Sequence, residues 1–162
     1  MKFKKLKSFA KINLSLNVIK KLPNNYHKIE SLITFVQFSD EIKIKNIDEI
    51  KNKISFLGKF SKGIGKQNTV IRLLNLLKKK KLIKNKKFEI KVKKNIPQKS
   101  GMGGGSMNAS SVAKFFLTRK IINLSKKNIN NILKSVGSDV PLGMNLKNTI
   151  MLKTGKLTVK EK

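Results

Sequence analysis

The stretch Phe88-Glu-Ile-Lys-Val-Lys-Lys-Asn-Ile-Pro-Gln-Lys-Ser-Gly-Met-Gly-Gly-Gly-Ser-Met-Asn-Ala-Ser-Ser-Val-Ala-Lys-Phe-Phe116 changes its period partway along. Phe88, Ile90 and Val92 alternate, which puts them on one face of a strand that ends near Lys94. Ala109, Val112, Ala113 and Phe116 fall at i, i+3, i+4 and i+7, the spacing of one helix face. Between the two lie Gly101, Gly103, Gly104 and Gly105, four glycines in five positions. Glycine lets the backbone turn its N–H groups toward one point and leaves room for an anion to come close. A helix beginning near Ser106 adds unpaired N–H groups and the positive end of its dipole. Strand, glycine loop and helix start in this order predict a phosphate cradle, with a ligand-free flexible loop as the plainer alternative.

Spacing narrows the kind of cradle. A Walker loop needs Gly-Lys-Ser/Thr after its last glycine, and here Gly105 is followed by Ser106-Met107. The dinucleotide fingerprint GxGxxG fails because Gly101-Met-Gly103-Gly-Gly-Ser106 has serine at its last position.

Outward from this centre, Val70, Leu73, Leu74 and Leu77 predict one further helix, and Ile129, Ile132, Leu133 and Val136 another that stops at Gly137. The run Lys78–Lys81 suits the carbonyl end of the first. Strands are expected over Ala10–Leu16, with Ala10, Ile12, Leu14 and Leu16 on one face, and over Ile29–Phe38, Ile42–Ile44 and Phe88–Val92. Thr149–Val159 reads as two short strands around Thr154-Gly155-Lys156. Gly63-Ile-Gly-Lys66 reads as a turn before the helix, near the rim of the cradle. The order is strands, helix, strand, glycine loop, helix, helix, strands, which is an α+β sandwich and not a regular βαβ alternation.

The 162 residues suit a single domain, 1–162, and 39% hydrophobic content is globular. There are no cysteines and one histidine, His27, which excludes disulfides, thiolate zinc and histidine-rich metal centres. No run approaches the roughly 20 apolar residues of a membrane span. The basic start, Met1 to Ala10, is followed by Lys11, Asn13 and Asn17 instead of a signal-peptide core, so a cytoplasmic protein without membrane partners is expected. The balance of 38 basic against 8 acidic residues gives a net charge of +30. Such a charge attracts polyanions. Yet only Arg72 and Arg119 are arginine, and the lysines run along the whole chain, a pattern that codon drift in an AT-rich genome produces. Specific nucleic-acid binding is not expected from it.

Pro97 through Ala109 resembles the ATP loop of the GHMP kinases, which phosphorylate small-molecule alcohols. Two more segments agree in the right order. Ser8-Phe-Ala-Lys-Ile-Asn-Leu-Ser-Leu16 resembles the family's N-terminal (Pro/Ser)-x-Ala-Lys-(Ile/Leu)-Asn-Leu strand, with Tyr26-His27 following, and Gly137-Ser-Asp-Val-Pro141 resembles its Gly-(Ala/Ser)-Asp-Val-Pro segment. The form Gly-Met-Gly-Gly-Gly-Ser-Met-Asn-Ala is most similar to the branch acting on 4-diphosphocytidyl-2-C-methyl-D-erythritol in non-mevalonate isoprenoid synthesis. The resemblance implies the family's N-terminal domain, a ribosomal-protein-like β-α sandwich. It also implies ATP-dependent phosphorylation of the substrate's 2-hydroxyl.

By the same resemblance the ATP site covers Pro97, Gln98, Lys99, Ser100, Gly101, Met102, Gly103, Gly104, Gly105, Ser106 and Met107, with N–H groups of Gly103 to Ser106 as donors. Asp139 matches the catalytic aspartate, and Lys11 the lysine that keeps it ionised and neutralises charge on the transferred group. Asn13 would meet the substrate near the reacting centre. Tyr26 would stack on the cytidine base and His27 would make polar contacts to it. Taken alone, Asp139 reads as an N-cap or turn residue, Lys11 as one surface lysine among many, and Tyr26-His27 as a loop after Pro23-Asn-Asn. ATP chemistry implies Mg2+. No protein ligand is assigned, Ser106 and Asp139 being the nearest candidates beside phosphates and water.

The family continues into a second α/β domain, and this sequence stops at Lys162. With that C-terminal domain missing, the expectation is weak activity unless a homo-oligomer or a separate chain completes the cleft, over exposed apolar surface. Two rival readings are a basic RNA-binding module on the same sandwich and a non-catalytic remnant of the kinase.

Overall fold

Two long antiparallel strands, β1 (Lys4–Lys21) and β2 (His27–Ile47), form the spine of the molecule. The computed structural model describes residues 2–21, 27–65, 67–152 and 156–159. Beyond the spine come β3 (Lys53–Leu57), α1 (Thr69–Lys79), β4 (Lys87–Lys93), α2 (Gly104–Thr118) and α3 (Lys126–Val136). A short 3-10 helix (Val140–Met144), β5 (Thr149–Leu152) and β6 (Lys156–Val159) complete the described chain. The six strands make one mixed sheet in which β1 borders β2 at one edge. On its other side β2 pairs with β4 through Glu41–Ile47 and with β5 through Glu30–Ile33. Only β3 and β4 run parallel.

The core follows from period. Ile42 and Ile44 of β2 and Phe88, Ile90 and Val92 of β4 point to the same side of the sheet and are fully buried. The predicted stripes of α1, α2 and α3 cover them, and Phe88 meets Phe116 with ring centroids 4.6 Å apart. The opposite face carries charge, with Lys5, Lys43 and Lys91 abreast on neighbouring strands. Asn68 caps α1 by accepting from the N–H groups of Val70 and Ile71, and Ser125 caps α3 through the N–H of Asn128. Lys78 and Lys79 end α1, and Gly137 ends α3.

Several expectations change. Ile29–Phe38 and Ile42–Ile44 are parts of one strand, β2, because the polar residues between them are paired in the sheet. β3 was not legible, since Lys-Ile-Ser-Phe-Leu is short and half-exposed. The predicted apolar face of β1 reaches the core only at its start, where Ala10 is fully buried and Ile12 half-buried. A register shift between Asn13 and Ser15 breaks the alternation, and Leu14, Leu16, Val18 and Ile19 are exposed. β5 and β6 lie where two short strands were expected, while the turn Thr154-Gly155 falls outside the described residues. No helix among the described residues is long and apolar enough to cross a membrane.

Candidate active site

β4 ends at Lys93, and the chain crosses the end of the sheet as the glycine loop before entering α2. Gly103 occupies the N-cap position of α2 with φ +68°, a left-handed conformation that favours glycine. No side chain caps this helix, unlike α1 and α3. The loop is held from beneath. The Lys11 N–H donates to the Met102 carbonyl at 3.0 Å, and a Cβ on Gly103 would lie 2.9 Å from Lys11 Cγ. A Cβ on Gly104 would lie 3.0 Å from Ile96 Cγ2 and from Lys94 Nζ. Around Gly101 there is open space.

The loop forms one wall of a cleft of about 430 Å3. Pro97 to Gly101 and Gly103 to Ser106 line it, with Asp139, Lys94 and Asn108. The α1 start contributes Asn68 and Thr69, and Phe56, Ile64 and Val70 supply an apolar portion. The Thr69 hydroxyl donates to the Gly105 carbonyl at 2.5 Å, and the Gln98 amide donates to the carbonyls of Phe60 and Lys62. The segment 58–65, whose glycines were placed near the rim, is thus tied to the loop, while Lys66 lies outside the described residues. Met102 and Met107 do not line the cleft. Met107 is buried against Ile33 and Leu142, on the side of α2 that packs inward.

Lys11 and Asp139 come from opposite ends of the chain and meet here. Lys11 Nζ lies 3.7 Å from Asp139 Oδ2 and donates to Asn13 Oδ1 at 2.7 Å. The lysine side chain is only 7% exposed, and the aspartate 29%. Strand alternation puts Lys11 and Asn13 on one side of β1, as the sequence predicts. Asp139 stands just before the 3-10 helix but makes no side-chain capping bond; its Oδ1 accepts from the Ser138 hydroxyl at 3.4 Å and its Oδ2 faces the lysine. Tyr26 lies outside the described residues. His27 begins β2 opposite Lys21, and only its backbone is described.

Sequence reasoning missed Asp40, Lys94 and Asn108, a buried cluster under the loop. One aspartate in a polar stretch of β2 gives no signal of its own, and Lys94 is one lysine among many. Asn68 and Thr69 were also missed, because their spacing reads only as a helix start. Among the described residues no three His, Asp or Glu side chains converge as a metal site. Ser106 and Asp139 are among the oxygen-bearing residues that line the cleft, with Asn68, Thr69, Ser100 and Asn108.

A sequence model of the GHMP kinases N terminal domain matches residues 68–146. The chain is 50% identical over 153 residues to a 4-diphosphocytidyl-2-C-methyl-D-erythritol kinase of Pelagibacter ubique, covering 94% of this chain and 54% of that protein. A kinase of the same name from Clostridioides difficile is 37% identical, over 87% of this chain and 47% of its own length. The chain therefore spans about half the length of the curated relatives it matches. Among solved structures, a 4-(cytidine 5'-diphospho)-2C-methyl-D-erythritol kinase superposes with a TM-score of 0.79 at 21% identity, over 97% of this chain and 55% of that one. A mevalonate kinase superposes with a TM-score of 0.66 at 12% identity, over 98% of this chain and 56% of that one. At these identities the superpositions establish the fold.

Proposed function

We propose that the chain, which matches the N-terminal domain of the GHMP kinases over residues 68–146, supplies the nucleotide-binding and catalytic half of a 4-diphosphocytidyl-2-C-methyl-D-erythritol kinase. The reaction moves the terminal phosphoryl group of ATP to the substrate's 2-hydroxyl, and ADP leaves. The observation that carries the proposal is the Lys11–Asp139 pair, 3.7 Å apart, with Asp139 lining the same cleft as the glycine loop.

Phosphoryl transfer asks a protein mainly for positioning and for stabilisation of charge. The uncapped N–H groups at the start of α2, from Gly104 to Ser106, are donors for phosphate oxygens, and the helix dipole adds to them. Phe56, Ile64 and Val70 give the apolar surface on which a nucleotide base rests. Asp139 accepts the proton of the attacking hydroxyl. Lys11, steadied by Asn13, keeps that carboxylate ionised and faces the developing negative charge. Ser106 and Asp139, which line the cleft, would help to hold Mg2+ beside phosphates and water, and the ion would supply screening of the phosphate charge. Tyr26 and His27 stay assigned to the cytidine group by sequence likeness.

Measurement of ADP release with Mg-ATP and 4-diphosphocytidyl-2-C-methyl-D-erythritol tests this reading. Release that depends on the substrate and is lost in Asp139→Ala supports it. A folded chain whose release is the same with and without Asp139 refutes it.

A further inference from the structure

We infer that Asp40, acting through Lys94 and Asn108, is the positioning residue that sets the shape of the glycine loop for a nucleotide's phosphates. The inference rests on the reading of that loop as a triphosphate site. Asp40 lies on β2, is fully buried, and has no role in the chemistry proposed for Lys11 and Asp139. Its two oxygens receive four donors. Oδ1 accepts from the N–H groups of Asn95 and Ile96, both at 2.8 Å. Oδ2 accepts from Lys94 Nζ and, at 3.0 Å, from Asn108 Nδ2.

These donors flank the loop on both sides. Asn95 and Ile96 are the last residues before Pro97, where the loop begins, whereas Asn108 lies in α2 beyond its end. One carboxylate therefore joins the two ends of the loop. Lys94 Nζ reaches to 3.0 Å from the point a Cβ on Gly104 would occupy, so the buried ammonium lies against the first turn of α2. Asn108 gives its amide to Asp40, while its carbonyl oxygen is buried with no hydrogen-bond partner. A side chain held at that cost is one whose amide is needed where it is. The ion pair is also almost free of solvent screening, Lys94 being 4% exposed and Asp40 fully buried.

Asp40→Asn separates positioning from bulk. The new side chain keeps the shape and can still accept from Asn95 and Ile96, but its NH2 group then faces two donors, Lys94 and Asn108. The loop keeps its rear tie and loses the forward one. Binding of adenosine, ADP and Mg-ATP to wild type and variant, measured by isothermal titration calorimetry, reads this directly. The expected result is ADP and Mg-ATP binding weakened tenfold or more in Asp40→Asn, with adenosine affinity changed less than twofold. A purely structural role would weaken all three ligands alike or lower only the melting temperature, and either result overturns the inference. If Asp40→Asn fails to fold, Asn108→Ala, which removes one of the four bonds, serves instead. It is expected to weaken ADP about threefold or more while sparing adenosine, and equal binding of ADP by Asn108→Ala and wild type overturns the inference. Absence of nucleotide binding by wild type itself would instead refute the triphosphate-site reading.

Discussion

At the scale of single residues, the site depends on a lysine that is unremarkable by count and distinctive by position. Lys11 is one of many lysines, yet it is nearly buried, braced by Asn13 and set 3.7 Å from Asp139. Asp139→Asn is expected to lower substrate-dependent ADP release by about 10²- to 10⁴-fold, the usual contribution of a general base. Mg-ATP affinity should change only a few-fold, and titration of the same preparation checks that. Lys11→Met should lower release as well and leave Asp139 without its cation. Away from the cleft, Glu89 accepts from Lys45 and Lys91, and these bonds hold its carboxyl below the ordinary value of 4.5. A lowered carboxyl pKa stabilises the fold above the unfolded value, and the gain is lost as pH falls through the folded one. Urea titrations of wild type and Glu89→Gln should therefore separate at neutral pH and converge in acid.

At the scale of elements, the helices and β4 were legible because a helix face or a strand face alone explains their apolar spacing. α1, α2 and α3 bury the residues their periodicity selects. β1 was legible only in part, because period 2 in Ala10–Leu16 reveals neither the register shift between Asn13 and Ser15 nor that Ala10 is buried while Leu14 and Leu16 are exposed. The glycine loop was legible as a cradle, but its anchors were not. Asp40 is 55 and 56 positions from the N–H groups it accepts, and no local pattern records such a contact. Gly103→Ala tests the loop as an element. Its left-handed φ of +68° costs a residue with a Cβ about 1–2 kcal/mol, and that Cβ would press on the Lys11 stem. A melting temperature lower by several degrees and weaker Mg-ATP binding are expected. Asn68→Ala removes the side-chain cap of α1 and should cost about 1 kcal/mol in a denaturant titration.

At the scale of the whole molecule, the question is whether +30 is the function or only its background. The open sheet face carries Lys5, Lys43 and Lys91 side by side, and a polyanion will be drawn to it. Such attraction is diffuse and should fall steeply with salt. A built cleft behaves differently, because its donors are fixed and its nucleotide has a base as well as phosphates. Fluorescence anisotropy with an unstructured RNA is expected to show affinity that collapses between low and moderate salt, without saturation at one site. The central claim is that the glycine loop over Lys11 is a nucleotide site and not one more cationic patch. Calorimetric titration of the wild-type chain with Mg-ATP, against inorganic tripolyphosphate and adenosine as comparators, tests it most directly. The expected result is one saturable site that prefers Mg-ATP to both comparators and persists at moderate salt. Equal affinity for tripolyphosphate and Mg-ATP, or binding that disappears with salt as the RNA's does, would contradict it.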